Sequence, residues 1–170
     1  MSDEKMSSYK NLFLSRIDTL SHIVDISINH FKDEGDSVLD YRLIEDMLPF
    51  GTQIAYTCNQ PRNFSLWCDG HKMDNLSPDV ESLDHAKRII EDARAGLLRV
   101  DATDAKLQEV RRIDIADGQY LELPGVEYVD DFLIPNLYFH LVTAYNIMRM
   151  RGAPLGKVNY MLHLVPKVKS

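Results

Sequence analysis

His140 is the side chain of this sequence best suited to chemistry, and its neighbours limit what that chemistry can be. It lies in the segment 133–156, LIPNLYFHLVTAYNIMRMRGAPLG, a helical pattern that is apolar on almost every side. An imidazole in that setting has three uses. It can be a neutral core group holding a hydrogen bond to a neighbouring helix, since buried polar groups are normally paired. It can be a metal ligand, but a second ligand on the same helix face should stand three or four residues on, where this chain has Thr143 and Ala144. It can also be a general acid or base in a pocket, with Tyr145 or Cys58 as its partner. As a core group its pKa should fall below the ordinary ~6.5, because burial disfavours the imidazolium.

Cys58, beside Asn59, is the other nucleophile worth weighing. A reactive thiolate needs a positive charge close by, and no Lys or Arg lies within a turn before it, so an inert buried thiol is expected. Cys68 follows Trp67 at a helix end and reads as packing. His22, His30, His71, His85 and His163 fall at helix edges or in connections, where solvated surface is the expectation. There is no glycine-rich phosphate loop, no GxSxG and no CxxC. The catalytic candidates are therefore His140, Tyr145 and Cys58, with no metal ligands assigned.

Helices must carry these residues. Phe13, Ile17, Leu20, Val24, Ile28 and Phe31 recur at spacings of three and four and predict a first helix over 8–31, stopped near Gly35. Pro49 suits the first position of a second helix, over 49–69, with a kink or short break expected at Pro61 because proline cannot bond the carbonyl of Thr57. Leu83, Ala86, Ile90, Ala93 and Leu97 mark a third helix from about Ser82. The segment 111–123 changes period, with Asp117-Gly118 between alternating runs, and predicts a small β-hairpin. A fourth helix over 126–151 should be bent or interrupted at Pro135.

The fourth helix has apolar residues on more than one face. Tyr138, Tyr145 and Met148 form a stripe beside the His140 face, and a partner chain is the simplest cover for it. A homodimer through this last helix is the expectation.

At 170 residues, 45% of them hydrophobic, the chain suits one domain over 1–170. A net charge of −7 argues against a nucleic-acid partner, whose phosphates need clustered Lys and Arg. No apolar run approaches the ~20 residues needed to cross a bilayer, and the opening MSDEKMSSYK has no signal-peptide core. Cys58 and Cys68 are ten residues apart on one expected helix. That is roughly 15 Å along the axis, too far for a disulfide. Unpaired thiols fit a reducing, cytoplasmic setting.

The C-terminal run PNLYFHLVTAYNIMRMRGAPLGKVNYM resembles the signature of an uncharacterised bacterial and fungal family within the DinB-like superfamily. The resemblance extends to Asp46-Met47-Leu48-Pro49, to Gln53 and Cys58 behind it, and to Leu123-Pro124-Gly125. It implies an all-α, four-helix bundle with a long crossover between the second and third helices, commonly packed as a homodimer. It also implies, for many members, a divalent metal held by one His of the second helix and an HxxxH pair of the last, in some cases serving thiol-dependent transferase or isomerase chemistry. This chain departs from that pattern: 49–69 has no histidine, and the last helix keeps His140 alone. The expectation is a homodimeric bundle with a small-molecule pocket near His140 and no metal cofactor. The alternatives are a metal- or thiol-dependent transferase or hydrolase with a rebuilt site, and a purely structural protein.

Overall fold

The computed structural model describes residues 4–169, and its frame is four long helices. Helix α1 (Glu4–His30) is followed by a 3-10 turn over Gly35–Asp40, then α2 (Phe50–Cys68) and α3 (Leu83–Arg99). A hairpin of β1 (Val110–Asp114) and β2 (Tyr120–Pro124) comes next. A single turn α4 (Gly125–Glu127) and a π-helical turn (Tyr128–Leu133) lead into α5 (Ile134–Met150), which is followed by the short α6 (Lys157–Tyr160) and a 3-10 turn over Leu162–Lys167.

Helix α2 is the centre of the bundle and packs most extensively on α5 and α3. Its apolar side, with Phe50, Ile54, Cys58, Phe64 and Trp67, meets the core residues of α1, α3 and α5. Phe13 of α1 packs on Phe64 with ring centroids 4.9 Å apart. Two carboxylates cap helices from far along the chain: Asp104 accepts from the Met6 N–H at 2.8 Å, and Asp36 accepts from the Leu83 N–H at 2.8 Å. Each satisfies an N–H that a helix start leaves unpaired.

The hairpin forms where the alternating pattern and Asp-Gly predict it, with Val110 opposite Pro124 and Asp114 opposite Tyr120. Asp117 and Gly118 take φ of +61° and +75°, the left-handed pair a tight turn requires. Ile113 anchors the hairpin in the core.

Three expectations are corrected. Helix α2 does not break at Pro61; it continues as one helix from Phe50 to Cys68. Proline costs α2 one backbone bond, to the Thr57 carbonyl, and the packing of α2 against α3 and α5 outweighs that loss; the side-chain bonds nearby go to other carbonyls, from Thr57 Oγ1 to Gln53 O, Gln60 Nε2 to Tyr56 O and Ser65 Oγ to Pro61 O. The interruption expected at Pro135 falls earlier, in the π-helical turn 128–133, so that Pro135 stands in the first turn of α5, where a missing N–H is harmless. The stripe proposed for dimerisation is also largely covered within the chain. Met148 is fully buried, Tyr138 accepts a bond from Arg16 Nε at 2.8 Å, and Tyr145 packs on Tyr160. The apolar residues α5 leaves exposed are Phe139, Val142 and Met150.

Candidate functional site

Helix α2 buries an unusual run of polar side chains: Thr52, Gln53, Asn59, Gln60 and Asn63. Most of them bind the crossover between α2 and α3, which has almost no regular structure of its own. Asn59 Oδ1 accepts from the Leu76 N–H at 2.8 Å, and Asn63 Oδ1 accepts from the Asp74 N–H at 3.0 Å. Asn63 Nδ2 donates to Asn75 Oδ1 at 2.8 Å, and Thr52 Oγ1 to Pro78 O at 2.9 Å. Arg62 adds an ion pair to the Asp74 carboxylate. These bonds satisfy a backbone that has no ladder partner.

Between this strap, α2 and α5 lies a cavity of about 290 Å³. Tyr56, Asn59 and Gln60 of α2, Met73 and Asn75 of the strap, and Asn136 and His140 of α5 line it. No lining residue carries a formal charge when His140 is neutral.

His140 is half-buried at this wall rather than sunk in the core. Its Nδ1 lies 2.8 Å from Gln53 Oε1, while Gln53 Nε2 donates to Leu48 O at 3.0 Å. The second bond orients the Gln53 amide, so its oxygen faces the imidazole and Nδ1 must be the protonated nitrogen. Nε2 is left as an acceptor with no partner among the described residues. The rings of Tyr56 and Phe139 flank the imidazole edge-on, each centroid 5.2 Å away. Burial holds the pKa of His140 below its ordinary value.

The hydrogen bond to another helix that a neutral imidazole needs is therefore present. The folded pKa lies below the unfolded one, which fixes a pH dependence. Above about pH 6.5 both states hold the neutral ring and stability is at its full value. As pH falls from there through the folded pKa, the unfolded chain takes up the proton first and stability is lost. An NMR titration should give His140 a pKa below 6.5 with the Nδ1–H tautomer dominant. A higher value would remove the neutral-imidazole assignment.

The three sequence candidates do not come together. Cys58 is fully buried on the core side of α2, outside the cavity, and burial pushes its thiol pKa far up. Tyr145 faces a separate apolar dimple with Val142 and Tyr160. Cys68 is half-buried and its thiol is pushed up to about 12, chiefly by burial. Gln53, the residue that fixes His140, is not among those candidates and stands in the sequence only as part of the family resemblance. Its signal was a run of amide side chains on a helix otherwise fit for a core.

The donors around His140 are carboxamides and a phenol, which do not suit a resident divalent cation. Among the described residues no three His, Cys, Asp or Glu side chains are grouped so that they could hold a metal ion. Across from His140, α2 presents Gln53, whose oxygen is already spent on the Nδ1 proton.

The family model for the domain of unknown function DUF1993 matches residues 8–161. The chain belongs to this family. A crystal structure of a DinB family member protein from Shewanella denitrificans has the same fold, with a TM-score of 0.75 over 89% of this chain and 88% of that one. Its sequence is 24% identical, so the likeness speaks for the fold alone. No curated protein matches the chain. The DUF1993 chain is thus a DinB-like helical bundle with a small hairpin before its last long helix. None of its described helices is long and apolar enough to cross a membrane.

Proposed function

We propose that this protein binds a small polar molecule in the cavity at His140, as a cytoplasmic homodimer and without the metal triad of its superfamily. The observation that carries this reading is the ordered chain from Leu48 O through Gln53 to His140, which leaves Nε2 as a fixed acceptor. An imidazole held in one tautomer by a second residue is ready either to bind a ligand proton or to remove one.

The rest of the cavity fits that use. Gln60 and Asn136 spend an amide N–H on the backbone carbonyls of Tyr56 and Phe132, so their own oxygens remain as acceptors. Asn59 and Asn75 each spend their oxygen within the chain, which leaves their NH₂ groups as donors. A ligand carrying both hydroxyl or N–H donors and carbonyl-type acceptors matches this lining. Thiol-dependent chemistry finds no support, because Cys58 is walled off from the cavity. A second copy packing on Phe139, Val142 and Met150 is favoured by their exposures of 60%, 37% and 54% on one helix.

Protein-observed NMR with a set of uncharged hydroxyl- and amide-bearing fragments tests the reading. Hits should cluster on Gln60, Asn136 and His140 and disappear in His140→Phe. A set that produces no saturable shift at these residues would overturn it. Sedimentation equilibrium on the same sample should show a dimer at micromolar concentration, and a clean monomer would remove the homodimer from the proposal.

A further inference from the structure

The cavity at His140 shares part of its lining with a second opening. Met73 and Asn75 line it, and they also line a larger groove of about 620 Å³ between the strap and β1. The chemistry changes across these two shared residues. The His140 side has no formal charge, whereas the groove is lined by Lys72, Arg111 and Arg112 against one carboxylate, Asp114.

That carboxylate is already engaged, since Arg112 Nε donates to Asp114 Oδ1 at 2.8 Å. Lys72 and Arg111 have no acidic partner among the described residues. This is unexpected in a chain with 26 acidic residues and a net charge of −7, where a free carboxylate is easily found. The two guanidinium groups are also held in position by neutral contacts. Arg111 Nη1 donates to His71 O at 3.2 Å and its guanidinium lies 5.9 Å from the Tyr128 ring; that of Arg112 lies 3.8 Å from the Tyr120 ring. A cation fixed by a carbonyl and a ring face, and not neutralised, is prepared for an anion from outside.

We infer that the ligand has two ends: an uncharged polar part held at His140, and a small anionic group, phosphate or carboxylate, held in the groove by Lys72 and Arg111. This rests on the reading of the His140 cavity as a ligand site. It adds the class of molecule, a polar metabolite-sized anion whose charge lies at one end. Met73 and Asn75, which line both openings, then lie beside the middle of the ligand.

The test uses inorganic phosphate and acetate as separate probes on the whole protein at constant ionic strength, with chloride as the reference salt. Amide shifts at Lys72, Met73, Arg111 and Ile113 should saturate with at least one of the two anions, and which one identifies the anionic group. Lys72→Gln changes an exposed side chain and should weaken that binding by about five-fold, the loss of one charge-assisted contact. Lys72→Gln with Arg111→Gln should abolish it, in a variant whose dispersed spectrum reports an intact fold. Saturation by neither anion, or saturation unaffected by both substitutions, would overturn the inference. Its failure is separable from that of the cavity reading. Neutral fragments binding at His140 without anion binding would remove only the charged end, and the reverse would remove only the neutral one.

Discussion

Gly125→Ala should lower the stability of the protein by about 3 kcal/mol, the upper end of what overpacking a core ordinarily costs. A Cβ at this position would lie 2.8 Å from Leu107 Cα, 2.9 Å from Leu107 O and 2.9 Å from Trp67 Cζ2. Two of the three obstacles are backbone atoms, which cannot rotate away as a flexible side chain can. Nor can the third yield easily, since Trp67 is packed between Phe64 and Tyr128 with centroids 6.2 and 5.3 Å away. Gly125 is required for this close approach and not for an unusual φ, as its backbone is that of a helix start. The Leu-Pro-Gly of the family signature thereby acquires a physical meaning: it is where the chain leaving the hairpin crosses the 104–108 turn on its way into the last long helix. Denaturant unfolding should show a lowered midpoint at unchanged slope, and thermal unfolding a Tm lower by roughly 10 °C. A loss under about 1 kcal/mol would show that the Leu107 segment gives way freely.

Phe64→Ala should cost more, about 3–5 kcal/mol, the usual range for emptying a fully buried aromatic site. Phe64 has no exposed surface and joins α1 to α2 through its contact with Phe13, and α2 to the 125–133 turns through Trp67. Its site cannot collapse easily, because both neighbouring rings are held by further packing. Yet Phe64 lies on the core side of α2, while Gln53 reaches His140 from another part of the helix. Equilibrium unfolding should therefore show the full loss while the His140 imidazole keeps its tautomer and its lowered pKa. A changed His140 titration in this variant would mean that core and cavity are mechanically coupled, contrary to what the separation of the two sides suggests.

The apolar periodicities made the four long helices legible, and turn chemistry did the same for the hairpin, because each depends on residues close in sequence. What could not be read depends on distant pairs. The expectation of a break at Pro61 counted a lost backbone bond but not the packing of α2 against α3 and α5, which come from elsewhere in the chain. The cover of Tyr138 by Arg16 and of Tyr145 by Tyr160 joins residues that no local pattern links. The sequence marks His140 but not the side chains that face it. Tyr145 and Cys58 were weighed for their reactivity, whereas the residues that face it are amides, which local rules treat as solvated surface. Lys72 likewise stands far along the chain from Arg111, and only the fold brings them to one groove.

The strap across α2 has a consequence for how such a protein can diverge. Its residues 74–76 are secured by Asn59, Asn63 and Arg62 through their backbone and through the side chains of Asp74 and Asn75, which leaves Met73 as the cavity-lining strap residue outside this hydrogen-bond set. Met73, half-buried at the edge of the core, can therefore be exchanged with less effect on the strap than Asn75, whose oxygen is bonded to Asn63. A lineage could in this way retune the shape and polarity of the cavity at Met73, leaving Gln53 and His140 as a constant reference. Ligand preference would then vary among relatives faster than the helices do.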